Sequence, residues 1–173
     1  MTFAAAQIVA AIRAWQAETR QLVVAIDGHG AAGKTTIAFE VAVAREALIV
    51  HTDDYLGGVH PTDDARPMAQ YYDWEALRTN SLEPAIEWGS RLILVEGVSA
   101  AAPALADLTT HTVLVVTPEP IRLERLHGRV TPEEWDVDWL EAERVYFLTR
   151  PARSFDLIVS GSTEGETEPR IAS

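Results

Sequence analysis

Short apolar runs punctuate this chain at residues 22–26, 47–51, 91–95, 112–117 and 155–159. Each is continuous rather than alternating, the pattern of a strand in a parallel sheet with both faces covered. The stretches between most of them leave room for crossover helices. The pattern predicts a three-layer α/β domain over residues 1–160, built on a five-stranded parallel sheet with right-handed crossovers. An alanine-rich segment, residues 3–19, carries Ile8, Ile12 and Trp15 at helical spacing and predicts an amphipathic helix packed on that domain.

Two further helix starts are legible. Thr117-Pro118 reads as an N-cap before an N1 proline, with Gly128 as the stop. Thr131-Pro132-Glu133-Glu134 reads as a capping box. Trp135, Trp139, Ala142 and Tyr146 then share one stripe of the helix that follows, and such a stripe belongs to a core. Residues 161–173 are small and polar with three glutamates, which predicts a loosely held tail.

The loop after the first apolar run changes the picture most. Gly28-His29-Gly30-Ala31-Ala32-Gly33-Lys34-Thr35 fits G-x-x-x-x-G-K-[ST], the phosphate-binding P-loop, between a strand-like and a helix-like segment. Glycines let the backbone wrap phosphate with its N–H groups inward, and the helix that follows adds its positive end. The cradle is read as Gly28, His29, Gly30, Ala31, Ala32, Gly33, Lys34, Thr35 and Thr36. Lys34 can bridge β- and γ-phosphates, and the Thr35 hydroxyl can ligate Mg²⁺. A rival pattern occupies the same residues. Gly28-x-Gly30-x-x-Gly33 is also a dinucleotide fingerprint, with Asp53 twenty residues after Gly33 as a ribose-binding acid. The Lys34-Thr35 pair is required by a triphosphate site and not by a dinucleotide site, and it favours the P-loop.

Ligands of parallel α/β sheets bind beyond the carboxyl ends of the strands. The second run ends His51-Thr52-Asp53-Asp54-Tyr55, so Asp53 belongs at the rim of the P-loop. A carboxylate there can take the proton of an attacking hydroxyl or steer the Mg²⁺ shell. Asp54 is read as a solvated acid in a turn. The third run ends Leu92-Ile93-Leu94-Val95-Glu96-Gly97, an apolar strand tipped by an acid that can hold a Mg²⁺-bound water. Arg122, Arg125 and Arg129 share one helix face, and Gly128 beside them suggests a hinged lid over residues 122–135. Arg125 and Arg129 are the candidates to neutralise charge on a transferring phosphoryl group, the alternative being surface pairs with Glu119 or Glu124. Residues 55–74 form a long irregular stretch holding Tyr55, Gly57, Gly58, His60, Arg66, Tyr71, Tyr72, Asp73 and Trp74. Its aromatics and acid can orient a flat polar substrate, and Asp73 also reads as the N-cap of a helix beginning at Trp74.

Composition narrows the classes. There is no cysteine, so disulfides and thiolate metal sites are excluded, and the five histidines show no metal spacing. No apolar run spans a membrane and the N-terminus has no secretion pattern, so the expected location is cytoplasmic. The net charge of −12 argues against nucleic acid polymers and acidic membranes as partners.

These residues resemble the uridine kinase-like proteins, a group related to bacterial pantothenate kinase and phosphoribulokinase. The resemblance rests on Val24-Ala25-Ile26-Asp27-Gly28 leading into the P-loop, Thr52-Asp53-Asp54-Tyr55, Tyr72-Asp73-Trp74, Val95-Glu96-Gly97 and the arginine helix, in that order, over residues 20–160. It implies a five-stranded parallel core with the Glu96 strand beside the P-loop strand. It implies ATP and Mg²⁺ as cofactors, and phosphoryl transfer to a hydroxyl of a small-molecule acceptor such as a nucleoside. Asp53 matches the family's catalytic acid, Asp73 a residue that holds acceptor hydroxyls, and Arg125 and Arg129 the lid arginines. Tyr55 and Tyr72 are the accompanying acceptor-site candidates. The chain departs from the family in a shorter lid, with Val130 where an acid usually follows the last arginine. A P-loop hydrolase or switch without an acceptor remains the alternative, with a dinucleotide-binding oxidoreductase behind it; no N-K-x-D element for guanine is present.

Overall fold

The computed structural model describes residues 1–57, 67–128 and 137–162. The apolar runs form five strands, β1 (Leu22–Asp27), β2 (Leu48–His51), β3 (Leu92–Glu96), β4 (His111–Val116) and β5 (Leu157–Ser160). All pair in parallel, in the order β2-β3-β1-β4-β5. The central strands β1 and β3 are buried along their whole length, which is why their sequences are apolar without a break. The edge strands β2 and β5 are half open to solvent.

Alternate strand residues face two separate cores. Val24, Ile26, Leu92, Leu94, Val113 and Val159 meet α1 (Phe3–Trp15) and α2 (Lys34–Arg45) through Ile8, Ile12, Ile37 and Val41. Val23, Ala25, Ile93, Val95 and Leu114 meet the opposite layer through Leu77, Leu82, Ala85 and Leu105. That layer holds α3 (Trp74–Leu77), a π-helical turn (Arg78–Leu82) and α4 (Glu83–Glu87). The expected N-terminal helix is present but ends at Trp15, with Gln16 as its C-cap.

Beyond β4 lie α5 (Glu119–His127) and α6 (Val137–Thr149). Helix α5 stops before Gly128, as the sequence suggests, but its start differs. The N-cap is Pro118, without a side-chain cap, and Pro120 falls in the first turn. Thr117 is buried and turns its hydroxyl inward instead, donating to the Ala32 carbonyl at 2.9 Å. A buried carbonyl left without a donor is costly, whereas the N–H groups of a helix end can be met by water, so the hydroxyl serves the carbonyl. The capping box at 131–134 and Trp135 lie outside the described residues.

Candidate active site

All five strands run the same way, so the loops after β1, β2, β3 and β4 open on one rim. The loop from Gly28 to Gly33 leaves β1 and turns into α2. Gly28 has φ 151°, Ala31 59° and Gly33 95°. A Cβ on Gly28 would stand 2.5 Å from the Val115 carbonyl oxygen, so close approach to β4 demands glycine there as well. Gly33 caps α2 with no side-chain hydrogen bond, which leaves the first N–H groups of a twelve-residue helix available to an anion.

Lys34 begins α2 and is buried. Its Nζ donates to the carbonyls of Gly28 at 2.7 Å and His29 at 2.9 Å. Burial pushes the ammonium below its ordinary pKa, while the charges of Asp27, Glu143, Glu96 and Asp53 pull it back. The charges of four carboxylates from four elements therefore act on one lysine.

Thr35, one residue on, donates its hydroxyl to Glu96 Oε2 at 3.4 Å. Glu96 is buried at the tip of β3, next to β1, and its Oε1 lies 2.6 Å from His51 Nδ1 at the tip of β2. The histidine orients the carboxylate from behind. Among the described residues no three His, Asp or Glu side chains converge as a metal cage. Thr35 and Glu96 bring two oxygens together, which suits a magnesium ion held largely by water and phosphate.

Asp53 sits on the single 3₁₀ turn after β2 (Thr52–Tyr55) and is exposed. Its charge reaches both Lys34 and Tyr72. Tyr72 is buried, and burial first, then Asp53, push its hydroxyl well above the usual tyrosine range. The ends of the long stretch are stitched together here. Leu56 bridges Tyr72 in antiparallel fashion, Gly57 N–H donates to the Tyr71 carbonyl at 2.8 Å, and Asp73 N–H to that of Tyr55 at 2.8 Å. Asp73 Oδ1 accepts from Ala76 N–H at 2.9 Å and caps α3, the local role the sequence suggests. Tyr55 directs its hydroxyl to Ser81 Oγ at 2.5 Å, into the helix layer. Tyr72 packs among Met68, Val98, Ala142, Trp74 and Trp139. Gly58, His60 and Arg66 lie outside the described residues.

The arginine face of α5 lies on the glycine loop. Arg122 Nη1 donates to the Gly30 carbonyl at 3.3 Å, and Arg125 Nη1 to that of Ala31 at 3.0 Å. Arg125 Nη2 donates to the Gly161 carbonyl at 2.9 Å. Arg129 and Val130 lie outside the described residues.

No family model matches the chain, and no curated protein matches it in sequence. Solved structures match its fold. A possible uridine kinase from Bacillus stearothermophilus is 19% identical, with a TM-score of 0.65 over 89% of this chain and 96% of that one. A sugar kinase from Janibacter sp. is 15% identical, with a TM-score of 0.57 over 82% and 86%. Shikimate kinase from Bacteroides thetaiotaomicron is 15% identical, with a TM-score of 0.52 over 81% and 86%. The fold, a five-stranded parallel sheet flanked by helices, is the one these solved structures share with this chain.

Strand order also separates this fold from the rival dinucleotide pattern. In a dinucleotide fold the first and second strands are neighbours, which sets the acid at the second tip beside the glycine loop. Here β3 stands between β1 and β2, and Glu96 takes that adjacent place.

Four residues of the P-loop surroundings escaped sequence reasoning. Asp27 is fully buried at the end of β1 and accepts from Gly28 N–H (2.7 Å), Ser99 N–H (2.9 Å), Ala101 N–H (3.1 Å) and the Tyr146 hydroxyl (2.6 Å). Burial pushes its carboxyl up and these donors pull it back. The stripe on α6 is thus core only in part, since Tyr146 carries a polar tip to the root of the P-loop. Glu143, one turn earlier, is buried against His29 and Gly30. Thr117 holds Ala32. Gly161, the first residue of the expected polar tail, is buried beside the same alanine. Asp27 stands in the motif that leads into the P-loop, and for it and Glu143 a further signal is an acid inside an otherwise core-facing pattern. Thr117 reads locally as a helix cap, and neither it nor Gly161 carries a signal of the contact with Ala32.

Proposed function

We propose that this protein is a kinase that transfers the γ-phosphoryl group of ATP, with Mg²⁺, to a hydroxyl of a small molecule in the uridine kinase-like manner. The acceptor is a nucleoside or a similar polyhydroxyl compound, and the expected setting is cytoplasmic. The fold, shared with proteins described as kinases, supports phosphotransfer. The observation that carries the reading is the place of Asp53: an exposed carboxylate on the turn after β2, at the same rim of the parallel sheet as the P-loop and its buried lysine.

The residues present fit the group. Positive φ at Gly28, Ala31 and Gly33 shapes a cradle, and the uncapped start of α2 faces it. The amides from Gly28 to Thr36 would hold the phosphates, and Thr35 with Glu96 would hold the ion. Bound ATP would supply the phosphoryl group, leaving as ADP, and Mg²⁺ would offset the charge of the phosphates. Lys34 would present its positive charge to that group, and Arg125 and Arg129 would neutralise the charge that builds up on it. Asp53 accepts the proton of the acceptor hydroxyl, and Asp73, Tyr55 and Tyr72 belong to the acceptor side. The net charge of −12 keeps nucleic acid polymers off the surface.

The test is acceptor-stimulated ADP release with a panel of nucleosides and sugars. Asp53→Asn should lose about 10²–10⁴-fold in transfer while retaining affinity for a Mg-ATP analogue. Lys34→Ala should abolish transfer with the fold intact by circular dichroism. Were no acceptor to stimulate the wild type, a nucleotide hydrolase or switch would be the better reading.

A further inference from the structure

Glu143 stands on α6, 113 residues from the loop it touches, and is 2% exposed. Its Oε2 accepts from the Gly30 N–H at 3.0 Å. Its Oε1 lies 2.5 Å from His29 Nδ1 and 3.6 Å from Arg122 Nη1. Arg122 in turn donates to the Gly30 carbonyl. A buried charge is costly unless it is paired and hydrogen-bonded, and three partners meet this one, so the position is built rather than incidental. Burial alone pushes the carboxyl up, but His29, the Gly30 amide and Lys34 outweigh it and hold it below the ordinary carboxylate value. Glu143 is therefore a fixed negative charge seated on a backbone N–H of the P-loop, with a guanidinium beside it.

A carboxylate oxygen and a phosphate oxygen seek the same partners, namely amide N–H groups and cations. Gly30 is the third residue of the phosphate-binding loop, and Lys34, whose ammonium also feels Glu143, is its seventh. We propose that Glu143 is a built-in competitor for phosphate at the P-loop, holding the Gly30 N–H and Arg122 until the phosphates of a nucleotide take them. Nucleotide binding must then displace the carboxylate, and part of the binding free energy goes into opening that contact. This inference rests on the phosphate-binding role of the loop given under the proposed function.

Glu143→Gln keeps the side chain's shape and an oxygen for the Gly30 N–H, but removes the charge. Like charges brought together at a site cost several kcal/mol. A non-hydrolysable Mg-ATP analogue titrated calorimetrically into the full chain should bind Glu143→Gln about tenfold tighter than wild type, the scale of relieving part of such a repulsion. The unliganded variant should melt at a lower temperature, because His29 and Arg122 lose their partner. A merely structural tie would lower the melting temperature without raising affinity. If the wild type binds and the variant binds no tighter, the competitor is refuted and the phosphate-binding loop stands. If neither binds, the loop reading falls and this inference with it. Should Glu143→Gln not fold, Glu143→Asp keeps the buried charge and withdraws it by one methylene. A tightening of about threefold or more, half of the expected gain on a logarithmic scale, supports the competitor, and an unchanged or weaker affinity overturns it.

Discussion

Replacing Gly161 with alanine tests whether the segment after β5 is part of the P-loop's support. A Cβ there would stand 1.9 Å from the Ala32 carbonyl oxygen, 2.5 Å from Thr117 Oγ1 and 2.8 Å from Val115 Cγ1. Two of these atoms have little freedom: one is backbone, and the hydroxyl is tied to that same carbonyl. Gly161 itself is anchored on both sides, its N–H donating to the Val116 carbonyl at 2.9 Å and its own carbonyl accepting from Arg125 at 2.9 Å. Its φ is not left-handed, so the substitution probes space rather than backbone strain. Overpacking at an anchored site costs about 3 kcal/mol. Stiffening of the unfolded chain returns about 0.4–1 kcal/mol. The net loss is about 2 kcal/mol, or about 4–8 °C in Tm for a chain of this size. Because the displaced atom belongs to Ala32, affinity for a Mg-ATP analogue should fall as well. Gly89→Ala is the control: its φ is 81° and nothing lies within 4 Å of the added Cβ. It should cost about 1–2 kcal/mol through strain alone and leave nucleotide affinity unchanged. Urea denaturation and calorimetric titration read both quantities. A Gly161→Ala protein as stable as wild type, or one that binds nucleotide equally well, would refute the packing of residue 161 on the P-loop.

Other outcomes follow from the same surroundings. Thr117→Val removes the donor to the buried Ala32 carbonyl and should destabilise by about 1–3 kcal/mol, whereas loss of a solvated N-cap would leave nucleotide affinity untouched; the variant should bind the analogue more weakly in titration. Tyr146→Phe takes one of four donors from Asp27 and should lower stability by about 1–2 kcal/mol in urea, with a fold otherwise unchanged by circular dichroism. Acid stability has a legible component at Glu40. The Thr2 N–H and hydroxyl hold its carboxyl below the ordinary 4.5, so its contribution is complete above pH 4.5 and is lost as pH falls through the lower folded value. Glu40→Gln should flatten the stability profile in that range, and an unchanged slope would remove Glu40 as its source.

The sequence by itself determined the layers and the rim. Continuous apolar runs report burial on both faces, and five of them recur as the five strands because that demand is local to each run. The glycine spacing at 28–33 and the Lys34-Thr35 pair were legible for the same reason, since backbone φ and close approach act on consecutive residues. Asp73 as a helix cap is also a local contact, three residues from its donor. Tertiary structure alone decided the rest. Glu143 meets Gly30 across 113 positions, Arg125 meets Ala31 across 94 and Thr117 meets Ala32 across 85. These encounters depend on strand order, above all on β4 lying against β1, which carries Thr117, α5 and α6 to the P-loop. No periodicity encodes strand order, so an acid on α6 reads as one surface charge among many until the sheet is assembled. The hydroxyl of Thr117 shows the same physics at one residue: locally it suits a helix cap, but a buried carbonyl 2.9 Å away has no water to satisfy it and takes the donor.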